Sequence, residues 1–220
     1  MSDVASAVAE VRRRIEEACR RAARDPAEVR LVAVTKTVDP ARIREAAQAG
    51  VEDFGENYLQ ELAAKREAAP EARWHFLGRV QSNKARRVAE KADLVQTLEP
   101  GRAWRRLAAA AVEAGAVLPC LVQVDFTGRR VGVGADEAAG FVERLADVAG
   151  LDVRGLMTVP PLGEDPRPFF ERLRALRDAL REAHPGISEL SMGMSADYEE
   201  AVVEGATMVR VGSAIFGARP

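Results

Sequence analysis

Two cysteines in 220 residues, Cys19 and Cys120, argue against a disulfide framework, and with no CxxC pair and no histidine beside either they argue against zinc as well. Two buried thiols in a reducing compartment are expected instead. Histidine is equally scarce, at His75 and His184, and tyrosine is confined to Tyr58 and Tyr198. Long apolar runs are missing: nowhere do about 18 apolar residues follow one another, the length needed to cross a bilayer. The opening MSDVASAVAEVRRRIEEA is acidic and helical in pattern where a secretory leader would be basic and then apolar, so a cytoplasmic protein with no membrane partner is expected. An excess of either charge is also absent. The 32 basic and 34 acidic residues leave a net charge of -2, which gives no footing for nucleic acid and favours a small-molecule ligand. Even the arginine-rich run EVRRRIEEACRRAARD alternates its signs and reads as a solvated helix face.

What the chain does contain is alternation. Val4, Ala7, Val8, Val11, Ile15 and Ala18 have amphipathic-helix spacing, which predicts a helix over 4–23 ahead of every strand. Eight strand-like runs follow, at 29–35, 53–55, 74–78, 94–97, 118–126, 153–158, 189–192 and 208–211. Helical stretches separate them, at 40–49, 56–68, 82–91, 102–114, 136–149, 166–183 and 196–204. Asp39 and Pro40 suit a helix start; Gly50, Gly115, Gly150, Gly186 and Gly205 fall where helices should stop. No low-complexity linker or composition break divides 1–220, so one domain is expected: a closed (β/α)8 barrel with an extra N-terminal helix. An open doubly wound sheet is the alternative, with two edges left to protect.

In such barrels ligands bind where the strands end, so the residues following each strand are the candidates. The first strand, LVAVTKTV, ends in Lys36. FGENYLQE after the second offers Glu56, Asn57 and Tyr58, and WHFLGRVQSNK around the third offers His75, Gln81, Asn83 and Lys84. A lysine at a strand end is ordinarily solvated. At a barrel mouth it has a second use, since desolvated lysines form Schiff bases with carbonyl compounds. In SMGMSADYEEA, Ser195 reads as a helix cap with Glu199 and Glu200 in the first turn, and the same geometry can cradle a phosphate. VRVGSAIFG places Gly212 and Ser213 after the eighth strand, where barrels with a phosphate site keep it. A phosphate grip facing a lysine suggests a phosphorylated aldehyde, and pyridoxal 5′-phosphate fits. Gln81, Asn83 and Lys84 read equally well as capping a helix or meeting a ligand or partner.

Taken in order, VAVTK, FGENYLQE, WHFLGRVQSNK, SMGMSADYEEA and VRVGSAIFG closely resemble the YggS/PROSC family of pyridoxal phosphate homeostasis proteins, relatives of the alanine racemase barrel. The resemblance runs from about Val11 to Arg219. It implies a fold-type III barrel in which Lys36 carries pyridoxal phosphate as an internal aldimine, Asn57 lies beside the ring, Ser195, Gly212 and Ser213 hold the phosphate, and Arg210 faces the pyridine nitrogen. It also implies a role in vitamin B6 homeostasis, with apo forms of pyridoxal-phosphate enzymes as partners. One stretch departs from the family: VQVDFTGRRVGVG has Asp125 where members carry asparagine, and its Thr127–Gly134 loop is short and lysine-free, leaving Arg130 as the candidate cation.

Chemistry adds an expectation about turnover. An arginine at the ring nitrogen does not accept the proton that a carboxylate would keep there, so the ring is a weaker electron sink. A racemase needs a second acid or base opposite the lysine, and related racemases draw theirs from an added domain. With nine residues after Val211, and with Tyr58 and Tyr198 not obviously placed for the task, a carrier is expected over a racemase of low activity. Neither His75, read as orienting polar groups in the barrel, nor His184, read as solvent-facing, is assigned catalysis. A monomer is expected, as is binding of some other phosphorylated metabolite if no covalent link forms.

Overall fold

All eight expected strand segments form, and they close on themselves. The structure is a computed structural model that describes residues 3–217. Residues 1, 2 and 218–220, the ends of the expected domain and of the motif stretch reaching Arg219, lie outside the described residues. In chain order the strands are β1 (Arg30–Val34), β2 (Asp53–Glu56), β3 (Arg73–Phe76), β4 (Leu94–Leu98), β5 (Leu118–Asp125), β6 (Val133–Gly134), β7 (Leu151–Met157), β8 (Glu189–Met194) and β9 (Met208–Val211). Parallel pairing runs β4-β3-β2-β1-β9-β8-β7-β5, and β4 pairs with β5 through Val95 to Cys120 and Leu98 to Val122. That last ladder removes both edges and rules out the open sheet.

The ninth strand was not expected. β6 is two residues long, too short to show a pattern, and it pairs Val133 with Val124 and Gly134 with Asp125 inside the Thr127–Gly134 loop.

The helices are α1 (Val4–Arg21), α2 (Pro40–Gln48), α3 (Leu59–Lys65), α4 (Ala85–Lys91), α5 (Ala103–Glu113), α6 (Ala135–Ala146), α7 (Arg167–Ala183), α8 (Tyr198–Val203) and α9 (Ser213–Phe216). α1 turns Val4, Val8, Val11 and Ile15 inward and packs on α2, α8 and α9. Asp39 caps α2 as expected, its Oδ1 accepting from the Ala41 N–H at 2.7 Å. Two expected starts need correction. The second crossover helix begins at Leu59 because Glu56 completes β2 and Tyr58 is extended. The third begins at Ala85 with no side-chain cap, so Gln81, Asn83 and Lys84 form the turn before it.

Burial divides into two clusters. The larger joins the outer faces of the strands to the helices, with Trp74, Phe54, Phe141 and Phe170 among its largest members. The smaller holds Val32, Leu94, Leu121, Met157 and Met208, one each from five barrel strands. Buried polar residues accompany them, including Asp53, His75, Gln96, Ser191 and Arg210. Among the described residues no helix is long and apolar enough to cross a membrane.

Candidate functional site

A cavity of about 1070 Å³ opens at the C-terminal ends of the strands. Lys36, Asn57, Ser195, Arg210, Gly212 and Ser213 all line it, so six residues drawn from four separate motifs meet in one place. The barrel supplies the reason: each follows or ends a strand, and all parallel strands point their ends the same way.

Lys36 lies two residues past β1, in a turn closed by the Val38 N–H donating to the Thr35 carbonyl at 2.9 Å. Thr37, next in the chain, has φ +62°, a left-handed conformation that a β-branched residue adopts only when its surroundings impose it. They do. Lys65 Nζ, buried beneath the turn, donates to the Thr35 carbonyl at 2.6 Å, to Glu56 Oε1 at 2.7 Å and to Glu61 Oε2 at 2.6 Å. The Thr35 hydroxyl donates to Glu56 Oε1 at 2.7 Å and the Thr37 N–H to Glu61 Oε2 at 3.0 Å. Burial pushes the Glu56 carboxyl up, against the pull of Lys65 and Thr35. Burial also opposes ionisation of Glu61, but there Lys65 and the Thr37 N–H win and hold it below the usual range.

Sequence reasoning noted Glu56 but missed Lys65 and Glu61 as parts of this clamp. The signal was ambiguous because a Glu and a Lys four apart on a helix ordinarily make a surface pair. Asn57 continues from Glu56 into the cavity wall. Gly78 makes room for its carbonyl: a Cβ there would lie 2.0 Å from Asn57 O.

On the opposite side Ser195 does not cap α8, which begins at Tyr198 with Asp197 in the capping position. Gly193 redirects the chain at φ +88°, where a Cβ would meet the Ala201 side chain at 2.5 Å. Ser195 Oγ instead accepts from the backbone N–H groups of Gly212 at 3.1 Å and Ala214 at 3.3 Å. The β8–α8 and β9–α9 loops are thus joined around one acceptor oxygen, with backbone donors converging on it.

Arg210 stands on β9, buried. Its Nη1 donates to Ser191 Oγ at 2.6 Å and its Nη2 to the Thr158 carbonyl at 2.9 Å. Burial pushes its pKa down to about 10, with Asp197 pulling the other way, so the guanidinium stays charged at neutral pH. Asp197, itself pushed up by burial, is steadied by the Met194 N–H at 2.6 Å.

The loop that departs from the family is tied by its own aspartate. Asp125 Oδ1 accepts from the Thr127 N–H at 2.9 Å and hydroxyl at 2.7 Å, and Oδ2 from the Arg130 N–H at 2.8 Å. Arg130 lines the cavity.

Other candidates fall elsewhere. Tyr58 is 60% exposed, and Tyr198 is buried in α8 beneath the Arg14 guanidinium. Among the described residues that line the cavity there is no tyrosine or histidine, and Gln81, Asn83 and Lys84 do not reach it. His184, expected to face solvent, is half-buried as the C-cap of α7. His75 lies inside the barrel between Asp53 and Gln96.

Residues 7–220 match the family described as alanine racemase, N-terminal domain. The "Pyridoxal phosphate homeostasis protein" of Pseudomonas aeruginosa is 39% identical over 100% of this chain and 97% of its own length. The protein of that description from Escherichia coli is 38% identical over 100% and 98%. This chain belongs to that family. The solved structure of PipY from Synechococcus elongatus with PLP bound superposes with a TM-score of 0.86 at 34% identity, covering 97% of this chain and 100% of that one. Clostridium difficile alanine racemase shares the fold at a TM-score of 0.75 and 14% identity, this chain spanning 60% of it.

Proposed function

We propose that the protein binds pyridoxal 5′-phosphate, holds it as a Schiff base on Lys36, and serves intracellular vitamin B6 homeostasis by keeping and releasing the cofactor. The observation that carries the reading is that one cavity is lined both by an amine, Lys36, and by Ser195, Gly212 and Ser213, where the backbone N–H groups of Gly212 and Ala214 meet at Ser195 Oγ. Those donors suit the group. They meet at the Ser195 hydroxyl, so a phosphate oxygen exchanging with that hydroxyl would find both donors, with the Ser195 and Ser213 hydroxyls as further partners.

Each residue then has a task at a stated atom. Lys36 Nζ supplies the amine that attaches to the aldehyde carbon, with loss of water. The Lys65 clamp holds the turn that presents it. Ser195, Gly212 and Ser213 hold the phosphate, Asn57 lines the ring's flank, and Arg210 donates toward the ring nitrogen. When bound, the cofactor supplies an electron sink for amino-acid chemistry, and a charged arginine at that nitrogen leaves the sink weak. That supports storage over turnover, with apo forms of pyridoxal-phosphate enzymes as recipients and a cytoplasmic, single-domain monomer as the working form. Cys19 and Cys120, both buried free thiols, accord with a reducing compartment.

The test is the absorption spectrum of purified protein titrated with pyridoxal 5′-phosphate. A visible imine band that saturates at one equivalent and disappears on borohydride treatment is expected. A spectrum that stays that of the free aldehyde overturns the covalent reading.

A further inference from the structure

Arg210 is one end of a chain of hydrogen bonds that crosses the inside of the barrel. Ser191 Oγ, which accepts from Arg210, lies 2.6 Å from Gln96 Oε1 and donates to it. Gln96 Nε2 lies 2.8 Å from His75 Nδ1, and His75 Nε2 lies 2.9 Å from Asp53 Oδ1. Arg73 closes the far end with Nε to Asp53 Oδ1 at 2.8 Å and Nη2 to Oδ2 at 2.7 Å. Five strands contribute, with β4 and β8 bridging the barrel's width.

The bonds of the chain can be followed in one direction from Arg210. An arginine can only donate, so the Ser191 oxygen accepts from it, while the Ser191 hydroxyl donates to the Gln96 carbonyl. With its carbonyl on Ser191 the Gln96 amide turns its NH₂ toward His75, and in that arrangement Nδ1 accepts and Nε2–H donates to Asp53. Burial alone would push the Asp53 carboxyl up, but Arg73 and His75 outweigh it and hold it far below the usual range, so it stays an acceptor. Turning the Gln96 amide over would send the Ser191 proton elsewhere and require His75 to donate from both ring nitrogens, so the His75 ring reports which way the chain runs.

We propose that Ser191, Gln96 and His75 are positioning residues that carry the acceptor character of Asp53 across the barrel to Arg210 and so fix how Arg210 meets the cofactor ring. The proposal rests on the cofactor reading above. Gln96 is the informative position because it neither hydrogen-bonds Arg210 nor lines the cavity: changing it leaves the Arg210–Ser191 contact in place and cuts the chain in the middle, removing the acceptor of the Ser191 proton and the donor to His75 Nδ1.

The test has two arms. In the ligand-free protein, NMR of ¹⁵N-labelled histidine should find His75 as the Nε2–H tautomer, and a ring protonated on Nδ1 instead overturns the relay. In the loaded protein, Gln96→Leu should keep the borohydride-fixed label on Lys36 yet shift the maximum of the visible band and release the cofactor to an acceptor apoenzyme about tenfold faster. Ser191→Thr, which keeps the hydroxyl, should match the wild type. A Gln96→Leu protein with a lowered Tm but the wild-type band and release rate makes the chain purely structural and overturns the proposal. If Gln96→Leu does not fold, Gln96→Met carries the same readouts. A wild type with no visible band, alongside the Nε2–H tautomer, sinks the cofactor reading and leaves the geometry of the relay standing.

Discussion

Lys36→Arg will abolish the visible band and the borohydride-stable label while leaving a folded protein that still binds the phosphate end weakly. Arginine keeps the positive charge at the cavity mouth, so the change removes the nucleophilic amine and little else. The chain has no ready substitute. Only four of its 32 basic residues are lysines, at positions 36, 65, 84 and 91. Lys65 Nζ is engaged by Thr35, Glu56 and Glu61, and neither Lys84 nor Lys91, at the two ends of α4, lines the cavity. The arginines that crowd the rest of the surface cannot form the link. Titration of the variant with pyridoxal 5′-phosphate, followed by reduction and intact-mass measurement, reads the effect. A band of wild-type amplitude would mean that Lys36 is not the tether.

The second large effect concerns what holds the tether. Lys65→Met will destabilise the fold by about 3–5 kcal/mol, because it leaves the buried Glu56 carboxylate without its cation. The loss should depend on pH with a definite sign. Glu56 already ionises less readily in the folded protein than at its ordinary value of 4.5, so its contribution to stability falls as pH rises above that value. Removing Lys65 steepens that fall, and the variant should come closest to the wild type in acid. It should also load cofactor poorly at temperatures where it remains folded, since the Thr35 carbonyl loses its anchor and Glu61, left without its cation, holds the left-handed Thr37 less firmly. Urea denaturation across pH, paired with cofactor titration, separates the two consequences. A Lys65→Met protein with wild-type stability at neutral pH would show that the clamp contributes nothing.

Much of this architecture could be read from the chain itself. Strand segments rich in valine and leucine alternate with amphipathic helices, and glycines such as Gly50, Gly150 and Gly205 take up positive φ where helices were expected to end. The cavity-lining set was legible for a topological reason: once eight strands are parallel, the residue after each one points to the same face. What stayed hidden depended on distance across the barrel. Gln96 and Ser191 sit 95 positions apart and look like unremarkable strand residues, so their bond has no local signature. Of the two readings of Ser195 only the cap fails, because Ser-Ala-Asp offers two capping candidates and the chain puts Asp197 at that position, leaving Ser195 to bond the neighbouring loop. β6 escaped notice for want of length.

The central claim is a bond between one nitrogen and one carbon, and it can be located directly. Wild-type protein loaded with pyridoxal 5′-phosphate, reduced with borohydride and digested with trypsin should yield a phosphopyridoxyl peptide covering residues 31–42, uncut at Lys36 because the modified lysine no longer directs cleavage. A label found on Lys65, Lys84 or Lys91 instead, or no label at all alongside full cleavage after Lys36, would contradict the account.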